Sequence, residues 1–383
     1  MKSKKLYWVL ILLFCNCKEK YTPPAISTNK NYLVVEGTIV TGSDSTIVLL
    51  SRTSNISDTI LPNPELGAQV TVLGEGNDPH PLTETGNGMY VSPGLNLSIN
   101  QKYQLKISTA DGKQYLSDLV TAKLTPPIDS LGWRQDSDHN VVIYVNTHDP
   151  ANNTRYYQWN YIETWQYHAP NQTLFDWVNE QIVVRSPDQQ LYNCWSYNNS
   201  SSINVASSAK LAQDVISQAP VALVNNSSEK IASKYSILVK QYALSQDAYE
   251  FWQTLKTTTE QLGTLFDPQP AQLQSNIHCV SNPGEVVVGF VSVASLQTKR
   301  IFINNGDVNY WFSVPYYNEF PAHLCDIRTV PADSIDYFLP PTGQRNYVLY
   351  GQPTAGSGYL VMPVDCLDCR THGGTNIKPS FWP

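Results

Sequence analysis

The stretch YSILVKQYALSQDAYEFWQTLKTTTEQL, residues 235–262, decides how this chain folds. Its first eight residues are bulky and rich in β-formers, which is typical of a strand. From Ser245 onward, apolar residues recur at helical spacing and form one face of an α-helix. These apolar residues are Ala248, Phe251, Trp252, Leu255 and Leu262. The stretch therefore predicts a strand followed by one long helix over about residues 245–262.

The residues around this helix predict its start and its surroundings. Ser245 is a good N-cap, and Asp247 and Glu250 suit the positive end of the helix dipole. Residues 286–293 and 300–303 follow as a predicted pair of strands. No other segment of the sequence predicts a convincing long helix, so we expect this helix to pack against β-structure.

Length, composition and charge narrow the class of protein. The chain has 383 residues, of which 15% are charged and 11% aromatic, and its formal net charge is −7. This length favours two domains. An acidic chain lacks the clustered basic residues that phosphate binding needs, so no nucleic-acid partner is expected.

The N-terminus resembles a bacterial lipoprotein signal. Three lysines precede the apolar run of residues 6–14, which is too short to span a bilayer. Cys15 and Cys17 follow at once. We predict lipidation at Cys17, which gives a signal peptide and lipobox over residues 1–17 and a tether over residues 18–30. Cys15 remains an alternative, and a plain secretory peptide is another.

Residues 31–125 predict a first domain of short strands without helices. The hairpin signal Asp111-Gly112 is the strongest in the chain. Regularly spaced short strands favour an immunoglobulin-like or transthyretin-like β-sandwich, which usually serves as a spacer or docking module. The predicted strands are residues 33–40, 46–50, 68–73, 103–107 and 115–117.

Residues 126–383 predict a larger β-rich domain that carries the helix. Pro126 and Pro127 make a stiff, extended boundary. Residues 198–228 are rich in Ser, Asn and Ala, which indicates a long excursion with local structure only. Residues 312–358 are rich in proline, and such loops on a β scaffold often form a binding surface.

An aromatic ribbon runs through residues 156–177, where several rings lie two residues apart and so line one face of a strand. One interpretation is a sheet face packed in the core. The other is a platform on which a sugar or aromatic ligand stacks. The candidate stacking residues are Tyr157, Trp159, Trp165 and Trp177.

Five cysteines remain after lipidation, and in an exported chain disulfides are favoured over a redox pair or a metal site. Because five is odd, at least one thiol stays unpaired, and we expect this to be Cys279. Four cysteines allow three connectivities, which the sequence leaves open. The predicted disulfide cysteines are Cys194, Cys325, Cys366 and Cys369.

No motif in the sequence indicates catalysis. The seven histidines are scattered, and no phosphate loop, dinucleotide fingerprint or nucleophile elbow is present. We therefore expect no catalytic residues, no cofactor and no metal, and a protein that is not an enzyme. Separated carboxylates like those of glycoside hydrolases leave no local motif, so a carbohydrate-active protein is the alternative.

Five segments together resemble one family. They are LVVEG at 33–37, YSILVKQYAL at 235–244, FDPQP at 266–270, RIFI at 300–303 and the end of the chain from CLDC at 366–369 to FW at 381–382. The chain resembles the Bacteroidota lipoproteins grouped as domain of unknown function family 4249, in which the four cysteines assigned to disulfides recur.

The resemblance implies an accessory role and no catalytic residues. It implies an outer-membrane lipoprotein that is anchored by its N-terminal lipid, faces the cell exterior and partners a TonB-dependent transporter. Such a subunit would capture an unknown nutrient ligand or dock on the transporter. The alternative is a carbohydrate-binding or carbohydrate-active surface lipoprotein that uses the aromatic platform.

Overall fold

A computed structural model describes residues 31–54, 63–260, 274–311, 325–342, 344–351 and 358–383. The fold is mainly β. The strands are β1 (Leu33–Val40), β2 (Thr46–Arg52), β3 (Asn63–Pro64), β4 (Gln69–Gly74), β5 (Pro79–Gly86), β6 (Met89–Ser92), β7 (Lys102–Ser108), β8 (Gln114–Ser117), β9 (Val120–Thr121), β10 (Ile128–Gln135), β11 (Val141–His148), β12 (Tyr156–His168), β13 (Phe175–Val178), β14 (Gln181–Val184), β15 (Asn193–Asn199), β16 (Asn204–Ser207), β17 (Val215–Val224), β18 (Lys234–Ala243), β19 (Ile277–Cys279), β20 (Val287–Gly289), β21 (Ser292–Ala294), β22 (Gln297–Asn304), β23 (Arg328–Val330), β24 (Tyr347–Gly351) and β25 (Tyr359–Pro363).

The first module is a barrel-like sheet of twelve strands. Its main path runs β19-β8-β7-β4-β5-β6-β2-β1-β20, and β19 contacts β20 where the path ends meet. Alternate residues of each strand point inward, as in β1, where Leu33, Val35 and Ile39 are buried in one core. The predicted hairpin at Asp111-Gly112 is confirmed, since it joins β7 to β8.

The strands around residue 290 correct two predictions. Residues 286–293 do not form one strand paired with residues 300–303, because the run breaks at Gly289 into β20 and β21, which both pair in parallel with β1. A Cβ at Gly289 would lie 2.2 Å from the Val35 carbonyl oxygen, so this close approach needs glycine. Residues 277–294 thus complete the first sheet, and a boundary at residue 126 does not separate the modules.

The second module has two sheets packed over a shared core. One is β10-β11-β17; the other is β15-β12-β18-β22, with β16 also on β12. The prediction of local structure only over residues 198–228 is wrong, because β16 and the ten-residue β17 lie there. A polar Ser/Asn-rich composition concealed the alternation by which Ile216, Ala219 and Val221 reach the core.

Two helices lie in the described residues, α1 (Gln246–Glu260) and α2 (Ile335–Phe338). Both are short, so the prediction of one long helix over about 245–262 is wrong. The last turns of α1 contain three consecutive threonines, whose hydroxyls donate back to carbonyls one turn earlier. Such β-branched, back-bonded residues favour a helix weakly. Among all the residues that the structure describes, no helix is long and apolar enough to cross a membrane.

Helix α1 lies between the two modules. The Ser245 hydroxyl accepts from the Ala248 amide at 3.1 Å, as the predicted N-cap requires. On one side the Tyr249 ring contacts Tyr156 of the second module, with centroids 5.1 Å apart. On another side Phe251 contacts Phe290, which lies between β20 and β21 of the barrel-like sheet, with ring centroids 5.6 Å apart.

Thr125 joins the three places where the chain crosses between the modules. Its hydroxyl donates to the Ser295 carbonyl at 2.5 Å, and its amide donates to the Ser295 hydroxyl at 2.9 Å. The Ala243 amide donates to the same Thr125 hydroxyl at 3.0 Å. Because these three residues end three separate segments, one buried side chain fixes the relative position of the modules.

A third group of strands lies against the second module near the C-terminus. The hairpin β13–β14 and the sheet β23-β25-β24 share a small core around Trp177. Two disulfides, Cys194–Cys369 and Cys325–Cys366, hold this region together.

Candidate ligand cleft between the modules

A cleft of about 780 Å³ lies where the barrel meets helix α1. This volume is in the range of small-molecule sites, which often lie at domain junctions. We call it the junction cleft. It is lined by Asp118, Leu119, Val120, Thr121, Lys123, Ser245, Asp247, Glu250, Phe251, Thr254, Gln274, Ser275, Asn276 and Phe290.

Four separate segments build the junction cleft, and one of them supplies only Phe290, between β20 and β21. The barrel contributes residues 118–123 around β9, and helix α1 contributes its first turns. Residues 274–276, which lead into β19, contribute the third wall. Asn276 fixes this wall, because its side chain donates to the Val291 carbonyl at 3.0 Å and accepts from the Val291 amide at 2.8 Å.

The junction cleft combines an apolar pair with polar walls. Phe251 and Phe290 are buried and contact each other. Three carboxylates, Asp118, Asp247 and Glu250, oppose one ammonium group, Lys123. Asp118 also lies 3.1 Å from His278. The arrangement can bind a small polar molecule with an apolar part, and its charge disfavours an anion.

The four candidate stacking residues do not form a ligand platform. Tyr157, Trp159, Trp165 and Trp177 are each at most 8% exposed, and Trp177 lies in a different core from the other three. The Trp159 indole N–H donates to the Gln241 side chain at 2.7 Å inside the second module. Their burial corrects the stacking interpretation and agrees with the alternative of a packed core.

Four of the five cysteines in the described residues form disulfides, and one is free. The four predicted disulfide cysteines form the bonds Cys194–Cys369 and Cys325–Cys366, which settles the connectivity that the sequence left open. Cys279 is a free, buried thiol in β19. The predicted lipidation site Cys17 lies outside the described residues.

The buried charges of the second module have partners, which indicates a structural role. Glu163 is buried, accepts from the Lys230 ammonium at 2.6 Å and accepts from the Tyr235 hydroxyl at 2.7 Å. Burial, with the Glu163 charge beside it, raises the pKa of Tyr235 well above its ordinary value. Removing Lys230 or Tyr235 would leave the buried Glu163 charge without that partner, so these contacts hold the native packing in place.

No cluster that could bind a metal occurs in the described residues, where no group of three or more His, Cys, Asp or Glu side chains converges. The junction cleft was not predictable from the sequence, because its walls come from segments up to about 170 residues apart. No local motif marks such a site. The one sequence feature that touches the cleft is the predicted helix start at Ser245, because the first turns of this helix supply one wall.

The fold and the cleft define a class: a β-rich, disulfide-bonded protein of two modules with a cleft where the barrel meets helix α1. The family described as "Domain of unknown function (DUF4249)" matches residues 18–300. The match covers well over half of the chain, so this chain belongs to the DUF4249 family.

Other comparisons add little. No curated protein matches the chain significantly. Among solved structures, the FN1–FN3 domains of chicken CNTN1 are similar at 12% sequence identity, over 55% of this chain, with a TM-score of 0.16. The similarity spans 62% of the chicken chain. A TM-score this low does not show a shared fold.

Proposed function

We propose that this protein is a lipid-anchored, outer-membrane surface lipoprotein that acts as an accessory subunit of a TonB-dependent transporter. Cys17 carries the lipid, and the chain faces the cell exterior. The subunit captures a nutrient ligand or docks on the transporter. The junction cleft is the observation that carries the proposal, because it offers a site of ligand size at a module interface. The protein is not an enzyme in this proposal.

Two further observations support it. The two disulfides suit an oxidising, exported location. The N-terminal sequence has the form of a lipoprotein signal. In this proposal the barrel-like sheet is the immunoglobulin-like or transthyretin-like module that we predicted, and it serves as a spacer and docking surface.

A tagged full-length chain, extracted from membranes in mild detergent, tests the accessory role. We expect an outer-membrane transporter barrel to co-purify in near-stoichiometric amount, and its gene to neighbour that of the chain. Absence of any barrel from repeated extractions would contradict the accessory role.

A ligand assay on the same preparation tests the junction cleft. Glu250→Lys should weaken binding of the transported nutrient, because it changes the charge on one wall. Glu180→Lys is a matched control, since Glu180 lies in the β13–β14 turn, outside the cleft. Equal binding by the two variants would remove the cleft from the proposal.

The carbohydrate alternative now lacks its site, because the rings that suggested it are buried. It remains an outcome of the test. Glycan binding or hydrolysis by the purified chain, without a co-purifying barrel, would favour that alternative over the accessory role.

A further inference from the structure

The barrel-like sheet has an outer face over three neighbouring strands. Inward residues such as Val35, Val48 and Tyr90 belong to the barrel core, so the residues between them point outward. We call the outward set the β1–β2–β6 face. It comprises Val34, Glu36 and Thr38 of β1, Ile47, Leu49 and Ser51 of β2, and Met89 and Val91 of β6.

Strand register makes this face a continuous apolar surface. Leu49 lies opposite Glu36 on one side and Met89 on the other. Ile47 lies opposite Val91 in the next row. Ile47, Leu49 and Met89 remain 43%, 38% and 37% exposed. Val34 extends the surface further, because it pairs with Val288 of β20.

Scattered exposed aliphatic residues are ordinary, but a contiguous group on one sheet face marks an interaction surface. Single leucines elsewhere, such as Leu223 on β17, show what the scattered kind looks like. The β1–β2–β6 face differs because its apolar side chains are cross-strand neighbours on three strands.

One charge lies within this face. Glu36 has no ion pair or hydrogen-bonding partner for its carboxylate among the described residues, and every other member of the face is uncharged. The residue keeps solvent-exposed surface, yet desolvation by the surrounding protein raises the pKa of its carboxyl. A carboxylate in apolar surroundings is stabilised by a cation that reaches it.

We propose that the β1–β2–β6 face is a docking surface for a protein partner that presents aliphatic side chains around one arginine or lysine. The aliphatic side chains cover Ile47, Leu49 and Met89, and the cation pairs with Glu36. Identifying this partner as the transporter rests on the proposed function; the docking face itself rests on the geometry and charge of the barrel.

The charge of Glu36 favours a protein partner with a cation over a second copy of the chain or an anionic membrane surface. A second copy joined through the same face would bring Glu36 and its symmetry mate into one apolar interface, where like charges repel. An anionic membrane surface would also repel the Glu36 carboxylate, and the face has no lysine or arginine to attract it. A partner with a matching cation has neither difficulty.

The test uses the full-length, lipidated chain and compares two double variants in the detergent extraction. Ile47→Ser with Leu49→Ser should lower the co-purified transporter about tenfold or more, since central apolar contacts dominate such interfaces. Val215→Ser with Leu223→Ser is the matched control, because these exposed aliphatic residues lie on β17 of the other module. Thermal unfolding should show that both double variants fold.

Charge variants and a crosslinker at the face identify the partner. Glu36→Arg should reduce co-purification more than Glu36→Gln, because it places a cation against a cation. A photo-activated side chain at Leu49 should form a crosslink to a transporter segment that contains arginine or lysine. Crosslinks only to a second copy of the chain, or only to lipid, would overturn the docking face.

The two proposals fail in different ways. If the wild type brings down the transporter and the double variant Ile47→Ser with Leu49→Ser does so equally, the docking face is wrong and the accessory role stands. If no transporter co-purifies but Leu49 crosslinks to another outer-membrane protein through a basic, apolar segment, the docking face stands and the accessory role is wrong. If Leu49 forms no crosslink to any protein, the docking face is wrong in either case.

Discussion

At the scale of single residues, the aromatic side chains of β12 decide between the two interpretations of the sequence. Trp159 is 1% exposed and its indole N–H donates a hydrogen bond to the Gln241 side-chain oxygen, so its removal leaves a large cavity and takes this donor from Gln241. We expect Trp159→Ala to lower the free energy of unfolding by about 3–5 kcal/mol. Tyr197→Ala is the control, because Tyr197 is 71% exposed and should cost less than about 0.5 kcal/mol. Urea unfolding measures both; similar values for the two variants would contradict the buried position of Trp159.

A second residue gives a pH dependence. Desolvation, with a smaller contribution from Asp44, raises the pKa of Tyr242 to about 12. An unfolded tyrosine ionises near pH ~10. Between these two pKa values the native state holds a proton that the unfolded state has lost. The free energy of unfolding therefore keeps the full contribution of this tyrosine below pH ~10 and falls as pH rises to ~12. Above both pKa values, the whole shift lowers the free energy of unfolding by about 2–3 kcal/mol.

Tyr242→Phe removes the titrating group and should flatten this loss. Urea unfolding at several pH values between ~9 and ~12 measures the slope in the wild type and the variant. We expect the two proteins to converge in their pH dependence below pH ~10 and to separate above it. Parallel curves across the whole range would show that Tyr242 is not shifted.

At the scale of elements, helix α1 depends on its N-cap. Ser245→Ala removes the hydroxyl that accepts from the Ala248 amide, and we expect a loss of about 1 kcal/mol. Ser245→Asp keeps an acceptor at the cap and should restore most of that loss. Thermal or urea unfolding provides the measurement. If alanine and aspartate behave alike, the cap does not contribute to the stability of α1.

The elements also show what a sequence can and cannot predict here. Strands with strict alternation, such as β1, were found because one face is buried and the other is not. The partners of β20 and β21 were missed, because parallel pairing with β1 across some 250 residues leaves no local pattern. β17 was missed because serine, glutamine and proline interrupt its apolar alternation. Periodicity reports which face of an element is buried, and it does not report what covers that face.

The same limit applies to the sites. The four cysteines were predictable from the chemistry of exported chains, whereas their pairing needed the fold. The aromatic ribbon left both the core and the platform interpretation open until burial was known. Neither the junction cleft nor the β1–β2–β6 face has a sequence motif, since each depends on which strands lie side by side.

At the scale of the whole molecule, the predicted anchor determines where the chain resides. Cys17→Ala should leave the protein soluble or uncleaved, because the residue predicted to carry the lipid is gone. Cys15→Ala should remain membrane-bound and serves as the matched control. Mass spectrometry of the mature N-terminus reads the modification directly, and diacylglycerol on Cys15 would contradict the assignment.

The threefold crossing at Thr125 limits how this molecule can be divided. A fragment ending at residue 125 would lack β19, β20 and β21, so β1 and β8 would each present an unpaired edge. Such edges recruit strands from other chains. We expect residues 31–125 alone to aggregate on expression, whereas a chain through residue 304 contains every strand of both modules' main sheets. A single break in the chain between Thr125 and β10 would leave the two halves bound together, because the crossings at Ala243 and Ser295 remain.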